Sequence, residues 1–517
     1  MAAAPGTGTE MKRTLTMTGL TINAMALIAP GAFLWTTFQA QVVQSNGGTT
    51  TAFDMVPGLL FVLILAFLTA FSYAELSNIY PDAGAGSSYY FAEAAFLQKE
   101  EAIHYKFARL AKFIVGWVSH LYYWIYPGIM VAFTATLLVY ILGLFGISLN
   151  QPLEILAAFG FSALVGLIAY RGISGSTMTA IVINAIQLTA LVAFGALAIG
   201  FRLTHPDLQY AHSSLTSVVL PHNLTNVIFQ GTIAILLLVG FESVTALGSE
   251  AINPKRDVRR AVLLSLAIQG AVAYVIEYVA ANFFVNSSVT ATNAAGVKVS
   301  GYDAAAASAA PIGDMVRFIG DSWLGGTGFI LVLILAASVL IALIGTTLAC
   351  LNTGVRITYV MGRDKEVPGL LGMLHFRHAT PHYGVIALTV LSAVLGGYAV
   401  LSADNLLQIT LASNTGTFLV YGMTNAIVLF AFGGVHKRNF LKHIVIPVLG
   451  VVANVGMLAG VIYMSVSAGG STQTDTLVAL AIVAVWVVVG GVWLIFNSAA
   501  NKQSILVKPA GVPSPER

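Results

Sequence analysis

Leu27-Ile28-Ala29-Pro30-Gly31-Ala32-Phe33 interrupts a hydrophobic run otherwise long enough to cross a bilayer, and Leu238-Val239-Gly240-Phe241-Glu242-Ser243 interrupts a second. Backbone that leaves a helix at membrane depth cannot face lipid, because its freed N–H and C=O groups would go unpaired; it must line a protein-enclosed or watery cavity. The two breaks fall at matching places in two successive sets of five spans. Paired interruptions of this kind point to a solute site near the midplane.

The rest of the chain agrees with a membrane setting. Of its 517 residues, 57% are hydrophobic and only 9% charged, and the mean hydropathy is +0.85, which excludes an ordinary soluble globule. With about 20 apolar residues needed to cross a hydrocarbon core of roughly 30 Å, twelve spans are expected, near 17–40, 53–75, 113–142, 154–170, 176–201, 226–250, 261–285, 325–353, 383–401, 405–432, 443–467 and 474–497. Pro127 is expected to kink the overlong third span. Of the 24 Lys and Arg residues, only Arg202, Lys298 and Arg317 lie outside if the N-terminus is inside. The positive-inside rule therefore predicts an even span count, both ends cytoplasmic, and a place in the inner (plasma) membrane. The net charge of +3 is that rule summed over loops and says nothing of nucleic acid.

The first span reads as a retained helix rather than a cleaved signal. The single cysteine, Cys350, excludes an intrachain disulfide. The sequons at Asn223 and Asn286 are expected to face outside. The polar tails 1–16 and 498–517 are too short for a domain. The segment 76–112 predicts a helix near the inner surface over Tyr89–Phe107, carrying Lys99, Glu100, Glu101 and Lys106. The outer loop 286–324 predicts a short helix from Pro311 to Ile319, whose first turn suits a proline; the loop either caps a vestibule or stays a loose connection. No Walker-type loop, His-Glu-x-x-His pair or Gly-x-Ser-x-Gly elbow is present, so the chain is not expected to be an enzyme and the reading calls for no cofactor.

The breaks carry the chemistry. Pro30 lacks an N–H and suits the first turn of a new helix, and Gly31 permits close approach. A half-helix starting there aims its positive end at the cavity, where a carboxylate would be held. Carbonyls near Ala26 and Leu27 would accept from an ammonium. Glu242, in the second break, is either a protonation or cation site or a carboxylate pinning unwound backbone; a charge at mid-bilayer costs about 2.5–3.5 kcal/mol on insertion scales. Glu277, deep in span seven with no basic neighbour in sequence, is a candidate for proton coupling or amine binding, or a buried neutral acid. Glu250 reads as a loop-pairing residue, and His120 among Trp117, Tyr122, Tyr123, Trp124 and Tyr126 as packing or cavity wall. His375, His378 and His382 have a metal-like spacing that Pro381 interrupts, and no metal site is expected there. Thr346 and Thr347 offer hydroxyls to a sodium ion, or back-bond to their own helix.

Several stretches together resemble the amino acid–polyamine–organocation (APC) permeases: Gly240-Phe241-Glu242-Ser243 with Glu250 and Asn253-Pro254-Lys255-Arg256-Asp257; Tyr73-Ala74-Glu75-Leu76 with Pro81-Asp82-Ala83-Gly84-Ala85-Gly86-Ser87; and Tyr359-Val360-Met361-Gly362-Arg363-Asp364 with Thr380-Pro381-His382. The resemblance runs over roughly residues 15–460. It implies an all-α integral membrane protein of the LeuT fold, with twelve transmembrane helices, spans 1 and 6 unwound, a 5+5 inverted repeat at 17–201 and 226–432, and two peripheral helices at 443–497. It implies alternating-access transport of a small amino acid or amine, proton-coupled or by exchange, with a polyamine or other organic cation as the alternative cargo and a non-transporting sensor as a lesser one. By position, the backbone at Ala29, Pro30 and Gly31 would meet the carboxylate, and that at Leu236, Val239 and Gly240 the amino group. Three departures stand out. Pro30 removes a donor from the first break. Gln187 takes the place of a span-five lysine that substitutes for sodium in some members. Leu236 stands where some antiporters carry an aromatic gate. The expected partners are then the solute, a proton or, as the alternative, sodium, and the lipid bilayer, with no nucleic acid.

Overall fold

The computed structural model describes residues 13–81, 86–97, 104–172, 177–205, 216–285, 289–293, 295–376, 378, 380–433 and 439–507. The motif residues Asp82, Ala83, Gly84 and Ala85, the charges Lys99, Glu100 and Glu101, and the sequon at Asn286 lie outside them. The helices are α1 (Met17–Leu27), α2 (Pro30–Val43), α3 (Met55–Ile79), α4 (Ser88–Leu97), α5 (Ala108–Leu144), α6 (Gln151–Tyr170), α7 (Thr177–Thr204), α8 (Thr216–Val219), α9 (Leu224–Ala234), α10 (Pro254–Phe284), α11 (Gly301–Ala307), α12 (Pro311–Trp323), α13 (Gly328–Arg363), α14 (His382–Ala399), α15 (Ala403–Phe432), α16 (Ile446–Ser467) and α17 (Gly470–Ala500). Among the described residues ten helices are long and apolar enough to span, and two pairs bend at a break, by 52° between Met17–Ala32 and Leu34–Val43 and by 43° between Leu224–Leu237 and Phe241–Gly248. Taking each bent pair as one span gives twelve.

The first break follows from its proline. The Pro30 ring cannot donate to the Ala26 carbonyl four residues back, and it disfavours helical geometry at Ala29. Ala29 accordingly sits at φ −54°, ψ 87°, and Pro30 opens α2 with no side-chain cap. In the second, α9 tightens into a 3-10 turn at Ile235–Leu237. The chain then bends through Gly240 at φ +128° and resumes as a 3-10 helix over Phe241–Glu250. Runs of that geometry beyond three or four residues are uncommon, so the whole half of span six beyond Gly240 is unusual backbone.

Several expectations change. Pro127 lies inside α5, which continues through it as a single helix. The helix expected near the inner surface is α4, which buries Ser88, Tyr89, Phe91, Ala92 and Ala95 against the protein. Its Tyr89 hydroxyl donates to Asp364 at 2.8 Å, and burial together with that carboxylate pushes the hydroxyl well above its ordinary range. The loop before α13 is folded: a hairpin of β3 (Thr290–Thr292) and β4 (Lys298–Ser300), then α11 and α12. Gln39 of α2 donates to the Ala306 carbonyl there at 3.4 Å. A second small hairpin pairs β1 (Ser45–Asn46) with β2 (Thr49–Thr50), a turn made possible by Gly47 and Gly48, both at positive φ. Gly490 of α17 lies against the Trp117 ring of α5.

Candidate substrate site at the two helix breaks

The two interruptions touch. A β-carbon built on Gly240 would stand 2.7 Å from Leu27 Cγ and 3.1 Å from the Ile28 nitrogen, closer than packed carbon atoms allow. Leu27, Ile28, Ala29, Leu236, Val239 and Gly240 are all buried. Irregular backbone from the two halves of the chain is thus brought to one place inside the bundle, where lipid cannot reach it.

The carbonyls released at the end of α1 are taken by side chains from two other helices. Met25, whose helical partner would be the Ala29 N–H, accepts from Gln269 Nε2 at 3.0 Å. Ala26, whose partner would be the missing Pro30 N–H, accepts from Thr346 Oγ1 at 3.0 Å. Thr346 therefore braces α13 to α1, whereas Thr347 bonds its own helix at Leu343. Behind them, Asn184 Nδ2 reaches the Ile22 carbonyl at 3.1 Å, and its Oδ1 accepts from both Gln269 and Gln187 at 3.0 Å. Gln187 Oε1 has no donor among the described residues and lies 3.3 Å from where a β-carbon on Gly31 would sit. Asn184 and Gln269 were not singled out in the sequence. Their signal was there, since amides at 184 and 187 share a face of α7 and a buried amide in a span must find partners.

Glu242 is held on both oxygens. Its Oε1 accepts from Tyr122 at 3.2 Å and Tyr123 at 2.9 Å; its Oε2 accepts from Tyr421 at 2.9 Å and from the Gly240 N–H at 3.1 Å. It ties α5 and α15 to the turn at Gly240. Tyr126 donates to the Leu236 carbonyl at 3.4 Å. Much of the aromatic cluster of α5 therefore faces the second break. His120 points elsewhere, stacked on Trp124 with ring centres 4.7 Å apart and 3.2 Å from Thr358 Oγ1.

Glu277 is different. It is fully buried. Gln41 Nε2 donates to its Oε1 at 3.0 Å, while Glu277 Oε2 and Gln41 Oε1 have no partner among the described residues.

The two ends of the bundle are unlike. On the α2 side a cavity of about 290 Å³ reaches inward to Thr36, Thr37, Phe133 and Leu236, with Asp404 and Thr472 among its other walls; no Lys or Arg lines it. On the opposite side backbone hydrogen bonds and ion pairs tie the segments together. Thr14 and Leu15 donate to the Glu250 carbonyl, both at 2.9 Å. The Glu250 carboxylate pairs with Arg356 at 2.9 Å, and Glu75 with Arg259 at 2.9 Å. His375 lies near His378 and His382 as rings, yet among the described residues no His, Cys, Asp or Glu group is arranged to hold a metal ion.

Comparison with known proteins adds a family. A profile described as amino acid permease matches residues 13–494. Over 81% of each chain, the sequence is 23% identical to a methylthioribose transporter of Bacillus subtilis. It is 27% identical to the branched-chain amino acid permease BcaP of Lactococcus lactis subsp. cremoris, over 66% of this chain and 68% of that one. It is 23% identical to the low-affinity putrescine importer PlaP of Escherichia coli, over 83% of each.

Proposed function

The chain belongs to the amino acid permease family, and from that premise we propose that it is a secondary active transporter that moves a small amino acid or amine by alternating access. It is a multi-pass membrane protein, not an enzyme. The observation that carries the proposal is the contact of Gly240 with Leu27 and Ile28, which makes the two breaks one chamber wall. The N-terminal turn of α2, at Ala29, Pro30 and Gly31, receives the substrate carboxylate with its positive dipole end and the N–H groups other than that of Pro30, which has none. Carbonyls at Leu27, Leu236, Val239 and Gly240 face the amino group, while that of Ala26, expected to join them, is taken by Thr346. Repeats at 17–201 and 226–432 rock about this chamber, while 443–497 packs outside them.

The α2-side cavity is the outer entrance, and both termini are cytoplasmic in the plasma membrane, as the distribution of Lys and Arg favours. The conformation is then one in which the Glu250–Arg356 side is closed. Proton coupling is assigned to Glu277, which has no cationic partner among the described residues; Glu242, with four donors, holds the unwound turn. Sodium has no part, because Thr346, Gln269 and Asn184 already occupy the α1 carbonyls that would otherwise receive it.

A second reading keeps the fold and moves an organic cation. It is favoured by Asp404 at the cavity wall without a basic residue beside it, and by the putrescine importer among the relatives. Proteoliposomes given labelled L-leucine or labelled putrescine separate the two. The leading reading expects saturable leucine uptake, competed by other small amino acids and accelerated by internal substrate. Putrescine uptake that no amino acid competes with would replace it by the second.

A further inference from the structure

Glu277 on α10 and Gln41 on α2 are both fully buried and already share one hydrogen bond, amide N–H to carboxyl oxygen, at 3.0 Å. Each has one other polar side-chain oxygen, Glu277 Oε2 and Gln41 Oε1, and neither has a donor among the described residues. Two buried acceptors left without donors in side chains already bonded to each other are costly. Both become satisfied by a single added hydrogen. A carboxylic acid and a primary amide are complementary: the amide N–H donates to the acid carbonyl, and the acid O–H donates to the amide carbonyl.

We propose that Glu277 and Gln41 form a two-bond acid–amide pair that holds the transported proton and clasps α2 to α10. The pair rests on the assignment of Glu277 as the proton carrier and adds its positioning partner, Gln41. On release, the Glu277 O–H loses its proton and becomes a carboxylate. The bond to Gln41 Oε1 breaks, the N–H bond remains, and α2 is held by one bond instead of two. The half of span one that begins at Pro30 is then freer to move, which links proton occupancy to the outer entrance.

The surroundings favour a proton over a larger ion. Tyr302 of α11, donating to the Ala281 carbonyl, and Tyr274 of α10 are the titratable side chains acting on this site from neighbouring turns. Among the described residues no Lys, Arg or His pairs with Glu277. On the Gln41 side, Gln230 Nε2 donates to the Gln41 carbonyl at 2.8 Å and to Thr51 Oγ1 at 2.7 Å, fixing the backbone from which the amide projects.

The test is infrared difference spectroscopy of the full-length protein in lipid, titrated with pH in sodium-free buffer, with Glu277→Gln subtracted to isolate the Glu277 acid band. The pair predicts a hydrogen-bonded carboxylic C=O band in the wild type that moves to higher wavenumber in Gln41→Leu. A wild-type band already at the position of a free acid overturns the pair, whether or not Gln41→Leu folds; so does a band that Gln41→Leu leaves in place. In either case pH-driven uptake by Glu277→Gln still judges the carrier assignment separately. Loss of the acid band on adding sodium chloride at constant pH would make this a cation site and overturn the proposal.

Discussion

Gly240 packs against Leu27 so closely that a β-carbon at position 240 would come within 2.7 Å of the Leu27 Cγ. One residue breaks span six and the other ends the first half of span one, and no side chain separates them. The glycine is needed twice over, for that approach and for a φ of +128° that other residues rarely adopt.

Gly240→Ala should therefore cost about 1–3 kcal/mol in backbone strain and force the two breaks apart. The expected result is a lower melting temperature in detergent and at least a tenfold loss of initial uptake rate. Unimpaired uptake would mean that the close approach is not used in transport.

Glu242→Ala leaves the hydroxyls of Tyr122, Tyr123 and Tyr421 and the Gly240 N–H without their common acceptor. At about 1–3 kcal/mol for each buried donor stranded, the loss should be large enough to lower the yield of folded protein. Glu242→Gln retains an acceptor and should recover most of it. The pair of variants is compared by size-exclusion profile and thermal unfolding.

Replacing sodium by choline should leave the initial uptake rate within twofold, since the freed carbonyls of Met25 and Ala26 already have side-chain donors. A steep dependence of uptake on sodium concentration would show that those donors give way to an ion.

Glu277→Gln should abolish accumulation driven by an inward proton gradient while sparing exchange of internal for external substrate, because the amide still bonds Gln41 but carries no titratable proton. Parallel uptake and exchange assays in one liposome preparation read both. Gradient-driven accumulation at the wild-type level would remove Glu277 from coupling.

The membrane character, twelve spans and both breaks were legible because each rests on local properties: apolar length, a proline that cannot donate, a glycine beside an acid. Partners were less legible. Nothing near Glu242 in sequence announces Tyr421, and Gln41 lies 236 positions from Glu277, so the pairings depend on helix rotation within the bundle. Asn184 and Gln269 looked like scattered polar residues, although a buried amide in a membrane span always needs an explanation. The sequence before α13 shows only the short helix at Pro311 and leaves a cap or a loose connection open, because Ala, Ser and Gly carry little periodicity. Its hairpin and α11 gain their order from packing against neighbouring helices.

The most direct test of a single chamber built from both breaks is substrate protection of cysteines. In a Cys350→Ser background, Ala29→Cys and Leu236→Cys are each exposed to a small membrane-permeant thiol reagent in proteoliposomes, with L-leucine or putrescine titrated in. The account predicts that whichever of these is transported slows labelling at both positions with the same half-maximal concentration. Protection at one position alone, or at neither, by a solute that the same liposomes transport would contradict it.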